Sequence, residues 1–134
     1  MKILLVDDDD SILKIFGASL KAQGFEVITA SNGNQGIEKA KQNMPDLVLL
    51  DQVLPDIQGN EILHTLKNDP ATKDLTIAML SNFGQNDLIQ KAINEGAVDY
   101  LLKYQITPEY LGQKVKEILG VTEGSIGGNQ PPTE

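Results

Sequence analysis

Four consecutive carboxylates, Asp7 to Asp10, follow the apolar run "ILLV" (3–6), and a fifth, Asp51, follows "LVLL" (47–50). A hydroxyl, Ser81, and an ammonium, Lys103, follow two further apolar runs. Unit charges 4 Å apart repel by about 4 kcal/mol at an effective dielectric near 20. Crowded acids therefore stand in a solvated turn or face something positive. If the fold brings these ends to one rim, the carboxylates cannot all ionise without a counter-charge. A few carboxylates with a backbone carbonyl and waters is the usual donor set for Mg²⁺, and Mn²⁺ takes the same donors. Such a cation, a lysine and a hydroxyl are also what a phosphoryl group needs for charge neutralisation. A carboxylate can attack phosphorus to form an acyl phosphate, and Asp51, alone at the end of its run, is the candidate.

The elements that would position these groups alternate along the chain. "KILLV" (2–6), "EVITA" (26–30), "LVLL" (47–50), "TIAML" (76–80) and "VDYLL" (98–102) read as short strands, several of them unbroken apolar runs suited to burial on both faces. Between them lie helical spacings. Ile12, Ile15, Phe16 and Leu20 mark the first helix, which Gly24 ends, and Ile37, Ala40 and Met44 mark the second, closed by Pro45. Ile62, Leu63 and Leu66 mark the third; Leu88, Ile89, Ala92 and Ile93 mark the fourth, with Gly96 as its cap. Thr107 and Pro108 read as N-cap and first-turn proline of a last helix carrying Leu111, Val115, Ile118 and Leu119. Five strand–helix units imply an α/β fold, a parallel sheet with helices on both faces. Ligands of such sheets bind beyond the carboxyl ends of the strands, where the acids, Ser81 and Lys103 lie. Residues 1–120 form the expected domain, and 121–134, rich in Gly, Pro and polar residues, the expected flexible tail or linker.

Composition narrows the partners. The net charge is −8 and every basic residue is lysine, so the chain lacks arginine's bidentate fork and repels a phosphate backbone. Direct nucleic-acid binding is not expected. There is no cysteine, which excludes disulfides and thiolate metal sites. No apolar run is long enough to span a bilayer and none reads as a signal segment, so we expect no membrane insertion and a cytoplasmic location.

Four stretches taken in order, "LLVDDD", "PDLVLLDQVLPDIQG", "TIAMLSN" and "GAVDYLLK", make residues 2–119 resemble a response-regulator receiver domain of two-component signalling. The resemblance implies a flavodoxin-like (βα)5 fold, strand order 2-1-3-4-5. It implies that Asp51 is the phosphoacceptor, served by a sensor histidine kinase or a histidine phosphotransfer protein. It places Mg²⁺ on Asp8, Asp51 and the Val53 carbonyl, with Asp7 holding a metal-bound water. Ser81 and Lys103 would contact the phosphoryl group, and Tyr100 would be an aromatic switch turning inward as Ser81 moves. A downstream protein would read the helix 4–strand 5–helix 5 face, with homodimerisation on phosphorylation left open. The module would signal, catalysing only its own phosphorylation and dephosphorylation, rather than act as a turnover enzyme.

Two positions depart from the family pattern. Tyr104 stands where proline usually follows the strand-five lysine; a cis bond there costs about 3–4 kcal/mol before a non-proline, so we expect a trans Lys103–Tyr104 bond, an altered loop and a displaced Lys103. Val53 cannot orient an attacking water through its side chain, so slow loss of the phosphoryl group is expected. Asp9 and Asp10 take no metal role, and Asp10 or Ser11 is expected to cap the first helix. Phe83 and Gly84 read as a mobile loop, and Asp56 and Gly59 as turn and cap residues. The only histidine, His64, reads as a surface or packing residue, and "GNQG" (33–36) lacks the lysine of a phosphate loop. Competing readings are a haloacid-dehalogenase-like phosphatase using Asp7 and Asp9, and a pseudo-receiver that binds partners without phosphorylation. A flavodoxin fits less well, because acids after strand one repel a phosphate.

Overall fold

The computed structural model of the chain describes residues 1–121; the expected tail lies outside the described residues from 122 onward. Five strands, β1 (Lys2–Val6), β2 (Glu26–Ala30), β3 (Leu47–Leu50), β4 (Ile77–Ser81) and β5 (Asp99–Leu102), alternate with five helices. These are α1 (Asp10–Ala22), α2 (Gly33–Asn43), α3 (Gly59–Lys67), α4 (Asn86–Asn94) and α5 (Pro108–Leu119), with a short 3-10 turn at Lys103–Gln105. The sheet is wholly parallel in the order β2-β1-β3-β4-β5, the expected flavodoxin-like arrangement.

The unbroken apolar runs are explained by burial on both sides. Alternate residues, Leu4, Val6, Val48, Leu50, Ile77 and Met79, pack with α2, α3 and α4 through Ala40, Ile62, Leu63, Leu66 and Ala92. Their neighbours, Ile3, Leu5, Leu47, Leu49, Ala78 and Leu80, pack with α1 and α5 through Phe16, Leu20, Leu111 and Val115. At about 25 cal/mol per Å² of apolar surface removed from water, these two layers hold the sheet and so the rim of loops that follow its strands.

Several local expectations change. The first helix is capped by Asp9, not by Asp10 or Ser11: Asp10 is already helical, and the extended Asp9 takes the amides of Ser11 at 2.8 Å and Ile12 at 3.4 Å. Met44 does not share the buried face of α2. It is the left-handed C-cap with φ 44°, half exposed, because Pro45 disfavours a helical conformation in the residue before it. Ile93 is also exposed, and only Ala92 of α4 is fully buried, so α4 is thinly held. Thr107 and Pro108 cap and open α5 as expected, the Thr107 hydroxyl accepting the Tyr110 amide.

Candidate functional site

Register brings the chemistry together. Val6 lies opposite Leu50 in the β1–β3 pair, so Asp7 and Asp51 leave their strands side by side. Leu50 lies opposite Met79, and Ser81 opposite Leu102, so Ser81 ends β4 beside β3 and Lys103 leaves β5 beside Ser81. The strand chemistry is therefore delivered by the sheet's own hydrogen-bond ladder rather than by loop folding.

Carboxylate oxygens of Asp7, Asp8 and Asp51 lie within 4.8 Å of one another. Asp7 and Asp51 are buried and Asp8 is exposed. The Lys103 ammonium, itself buried, lies 2.5 Å from Asp7 Oδ2 and 3.3 Å from Asp51 Oδ2. The Asp7 contact is an ion pair without hydrogen-bond alignment, and that oxygen has no hydrogen-bond partner. Asp7 Oδ1 accepts the Asp9 amide at 2.9 Å, which folds the acid run back on itself. Every described peptide bond is trans, Lys103–Tyr104 included. Lys103 is not displaced, because the 3-10 turn at Lys103–Gln105 carries the chain past it without a cis bond.

One ammonium among three carboxylates leaves formal negative charge in a largely dry site. Asp51 registers it: burial first, then the Asp7 charge, push its pKa up to about 6, against the pull of Lys103 and of hydrogen bonds from Lys103 and the Val53 amide. The sign follows for stability. Between pH 4 and pH 6 the metal-free folded chain keeps a proton on Asp51 that the unfolded chain has lost, so this group's contribution falls as pH rises. In urea titrations with a chelator, Asp51→Asn is expected to gain on the wild type by about 1–2 kcal/mol between pH 5 and pH 7.5. A constant difference across that range contradicts the assignment.

The donor set fits a hard divalent cation: all the side-chain ligands are oxygens, one buried oxygen lacks an aligned donor, and one ammonium compensates only part of the charge. Beside it, the Ser81 hydroxyl is fully buried and accepts the Phe83 amide at 3.0 Å. Tyr100 is already inward. Its phenol donates to the Phe83 carbonyl at 2.6 Å; burial raises its pKa, the Ser81 hydroxyl opposes that rise, and the Asp51 charge adds to it. Phe83 thus links Ser81 to Tyr100 through its backbone, a role the sequence reading, which took it for a mobile loop residue, did not anticipate.

The match to known proteins agrees with this geometry. Residues 3–116 match the response regulator receiver domain model. The chain belongs to the response regulator receiver domain family. The phosphate regulon transcriptional regulatory protein PhoB of Rhizobium meliloti is 34% identical over 118 residues, covering 88% of this chain and 52% of that protein. The DNA-binding dual master transcriptional regulator RpaA of Synechocystis is 36% identical, covering 91% of this chain and 50% of that protein. The chain spans about half the length of these relatives. A CheY-like response regulator receiver domain protein from Methanospirillum hungatei superposes with a TM-score of 0.82 at 30% identity, covering 89% of this chain and 93% of that one. The receiver domain of Klebsiella pneumoniae RstA gives 0.81 at 27%, covering 89% and 98%. Receiver domains are signalling modules of two-component systems that hold Mg²⁺ in an acidic pocket, and this chain has such a pocket. Among the described residues no helix is long and apolar enough to cross a membrane.

The remaining candidates add no side chain to the pocket. Asp9 is committed to the α1 amides and Asp10 sits in the first helical turn. His64 is mostly exposed, its Nδ1 2.9 Å from Glu95 Oε1. Asp56 does more than shape a turn: its two oxygens take the amides of Gly33 at 2.8 Å and Asn34 at 2.9 Å, which hold its carboxyl below the usual range. Gly59, expected as a turn or cap residue, opens α3 in contact with the Asp51 backbone.

Proposed function

We propose that the chain is a phosphorylation-dependent switch that accepts a phosphoryl group on Asp51 from a phosphohistidine of a sensor histidine kinase or phosphotransfer protein. The convergence of the Asp7, Asp8 and Asp51 carboxylates with the Lys103 ammonium supports this reading most directly. Asp51 attacks phosphorus, an O–P bond forms, the P–N bond to the donor imidazole breaks, and that imidazole leaves with the electron pair and takes a proton from solvent. Lys103 neutralises the oxygens of the new acyl phosphate, and the Ser81 hydroxyl, released from Phe83, donates to one of them. Asp8, Asp51 and the Val53 carbonyl would hold Mg²⁺ or Mn²⁺, with Asp7 on a bound water. When bound, the cation supplies charge neutralisation for the transferring phosphoryl oxygens.

Recruitment of Ser81 breaks its contact with the Phe83 amide and so disturbs the segment that Tyr100 grips. The output is a change in the α4–β5–α5 face, where α4 is thinly buried, read by a downstream protein. Dimerisation of the phosphorylated chain through that face is compatible with this output. The phosphatase reading with Asp7 and Asp9 is disfavoured, because the Asp9 carboxylate is spent on capping α1.

Intact-mass analysis after incubation with acetyl phosphate and Mg²⁺ is the test. A single phosphoryl adduct is expected in the wild type and none in Asp51→Asn. An adduct surviving that substitution would refute the assignment. Val53→Asn is expected to lose the adduct about tenfold faster once donor is removed, as an amide beside Asp51 can orient the attacking water. Equal or slower decay would show that position 53 does not limit hydrolysis.

A further inference from the structure

The loop between β3 and α3 is pinned at both ends. At its base the Gly59 amide donates to the Gln52 carbonyl at 2.7 Å, so residues 52–58 form a closed excursion. At its outer end Asp56 reaches 22 and 23 residues back along the chain. Its Oδ1 takes the Gly33 amide and its Oδ2 the Asn34 amide, while Oδ1 also accepts the Ile57 amide at 3.0 Å.

Those two amides open α2 and have no acceptor within their own helix. The helix's own cap, Asn32, serves a different amide, that of Gln35, at 2.8 Å. A carboxylate at a helix N-terminus is also favoured by the helix dipole. The two segments approach closely at position 33. A Cβ there would lie 2.9 Å from Ile62 Cδ1, 3.0 Å from Asp56 Oδ1 and 3.1 Å from Ile57 Cβ. Within this pinned loop sits Val53, whose amide faces the Asp51 carboxylate.

We propose that Asp56 is a positioning residue: by tying the β3–α3 loop to the N-terminus of α2, it fixes the Val53 backbone beside Asp51 and thereby sets the cation affinity of the pocket. This rests on the reading of that pocket as a divalent-cation site. A backbone carbonyl serves as a ligand only while its loop is held, and Asp56 is the only side chain of residues 52–58 seen to hydrogen-bond an element outside the loop and α3. Linkage makes the relation reciprocal: a cation that orders the loop must also protect the Gly33 and Asn34 amides.

The test is Mg²⁺ binding to the unphosphorylated chain, measured by calorimetry for the wild type, Asp56→Ala and Asn32→Ala. Both substitutions strip hydrogen bonds from the same helix end, but only the first frees the loop. Asp56→Ala is expected to bind Mg²⁺ about tenfold more weakly, the lower end of what outer partners of a metal site contribute. Asn32→Ala is expected to match the wild type despite a lowered melting temperature. In the wild type, Mg²⁺ is expected to slow hydrogen exchange at Gly33 and Asn34, and this slowing should vanish in Asp56→Ala. Equal Mg²⁺ affinity in the two variants overturns the proposal. A wild type that binds no Mg²⁺ overturns the cation reading itself, a different and recognisable result. If Asp56→Ala does not fold, Asp56→Asn, which keeps one acceptor oxygen, carries the same comparison with an intermediate loss expected.

Discussion

Lys103→Met will cost the metal-free chain about 3 kcal/mol at pH 7.5, because it leaves buried carboxylates without their counter-ion. Methionine nearly matches the lysine stem in length and apolar character, so the change isolates the charge. The ammonium is within 3.3 Å of oxygens on both Asp7 and Asp51. Without it, the forces that already lift the Asp51 pKa to about 6 act unopposed by Lys103. The folded state then keeps its proton to still higher pH, so the defect shrinks as pH falls toward 5. Millimolar Mg²⁺ should recover part of the loss. Urea unfolding at pH 5 and pH 7.5, with chelator and with Mg²⁺, reads both effects. A pH-independent loss would point to lost packing rather than lost charge. Phosphorylation by acetyl phosphate is expected to fall by about a hundredfold or more, in line with removal of one oxyanion-stabilising donor.

A second large effect is expected from a single methyl group. A Cβ at Gly59 would stand 2.3 Å from the Asp51 carbonyl oxygen and 2.8 Å from the Gln52 Cα. Both are backbone atoms of the strand end that carries the nucleophile, so neither can turn aside as a side chain would. Gly59→Ala must push the first turn of α3 away from β3 or distort Asp51 itself. About 3 kcal/mol of stability is expected to be lost, the upper end for overpacking. Yield of the Asp51 adduct should fall at temperatures where the variant is still folded. Gly17→Ala is the control. Its Cβ would meet only Val27 Cγ1 at 3.8 Å, an ordinary contact, and a helical glycine replaced by alanine gains about 0.5–1 kcal/mol. Thermal melts of the two variants should move in opposite directions. A neutral Gly59→Ala would mean that the close seat on Asp51 relaxes freely.

Much of this was legible in the sequence because the sheet is buried on both faces. Apolar runs such as "LVLL" are too short for helices and are bounded by turn residues, which marks them as strands, and the first polar residue after each run marks the rim. Strand order then followed from a family resemblance, not from spacing. The local exceptions have local causes. Asp9 rather than Asp10 caps α1 because four identical letters carry no register, and only the backbone angle at residue 9 decides which one stands outside the helix. Met44 follows apolar spacing, yet Pro45 ends the helix one residue sooner. Lys103 was expected to move because proline was missing after it; the 3-10 turn provides the same passage by another backbone path. Asp56 was read as a turn residue because its partners, Gly33 and Asn34, are far away in the chain, and no short-range pattern points to them.

The edge position of β5 has a consequence for timing. Asp7 and Asp51 leave interior strands whose side chains are enclosed except at Lys2, and such strands exchange their amides only when much of the domain opens. Lys103 follows an outer strand that is enclosed only at its middle two residues and is flanked by the weakly packed α4. That margin is therefore expected to open before the two acid-bearing strands do, with amide exchange in β5 faster than in β1 and β3.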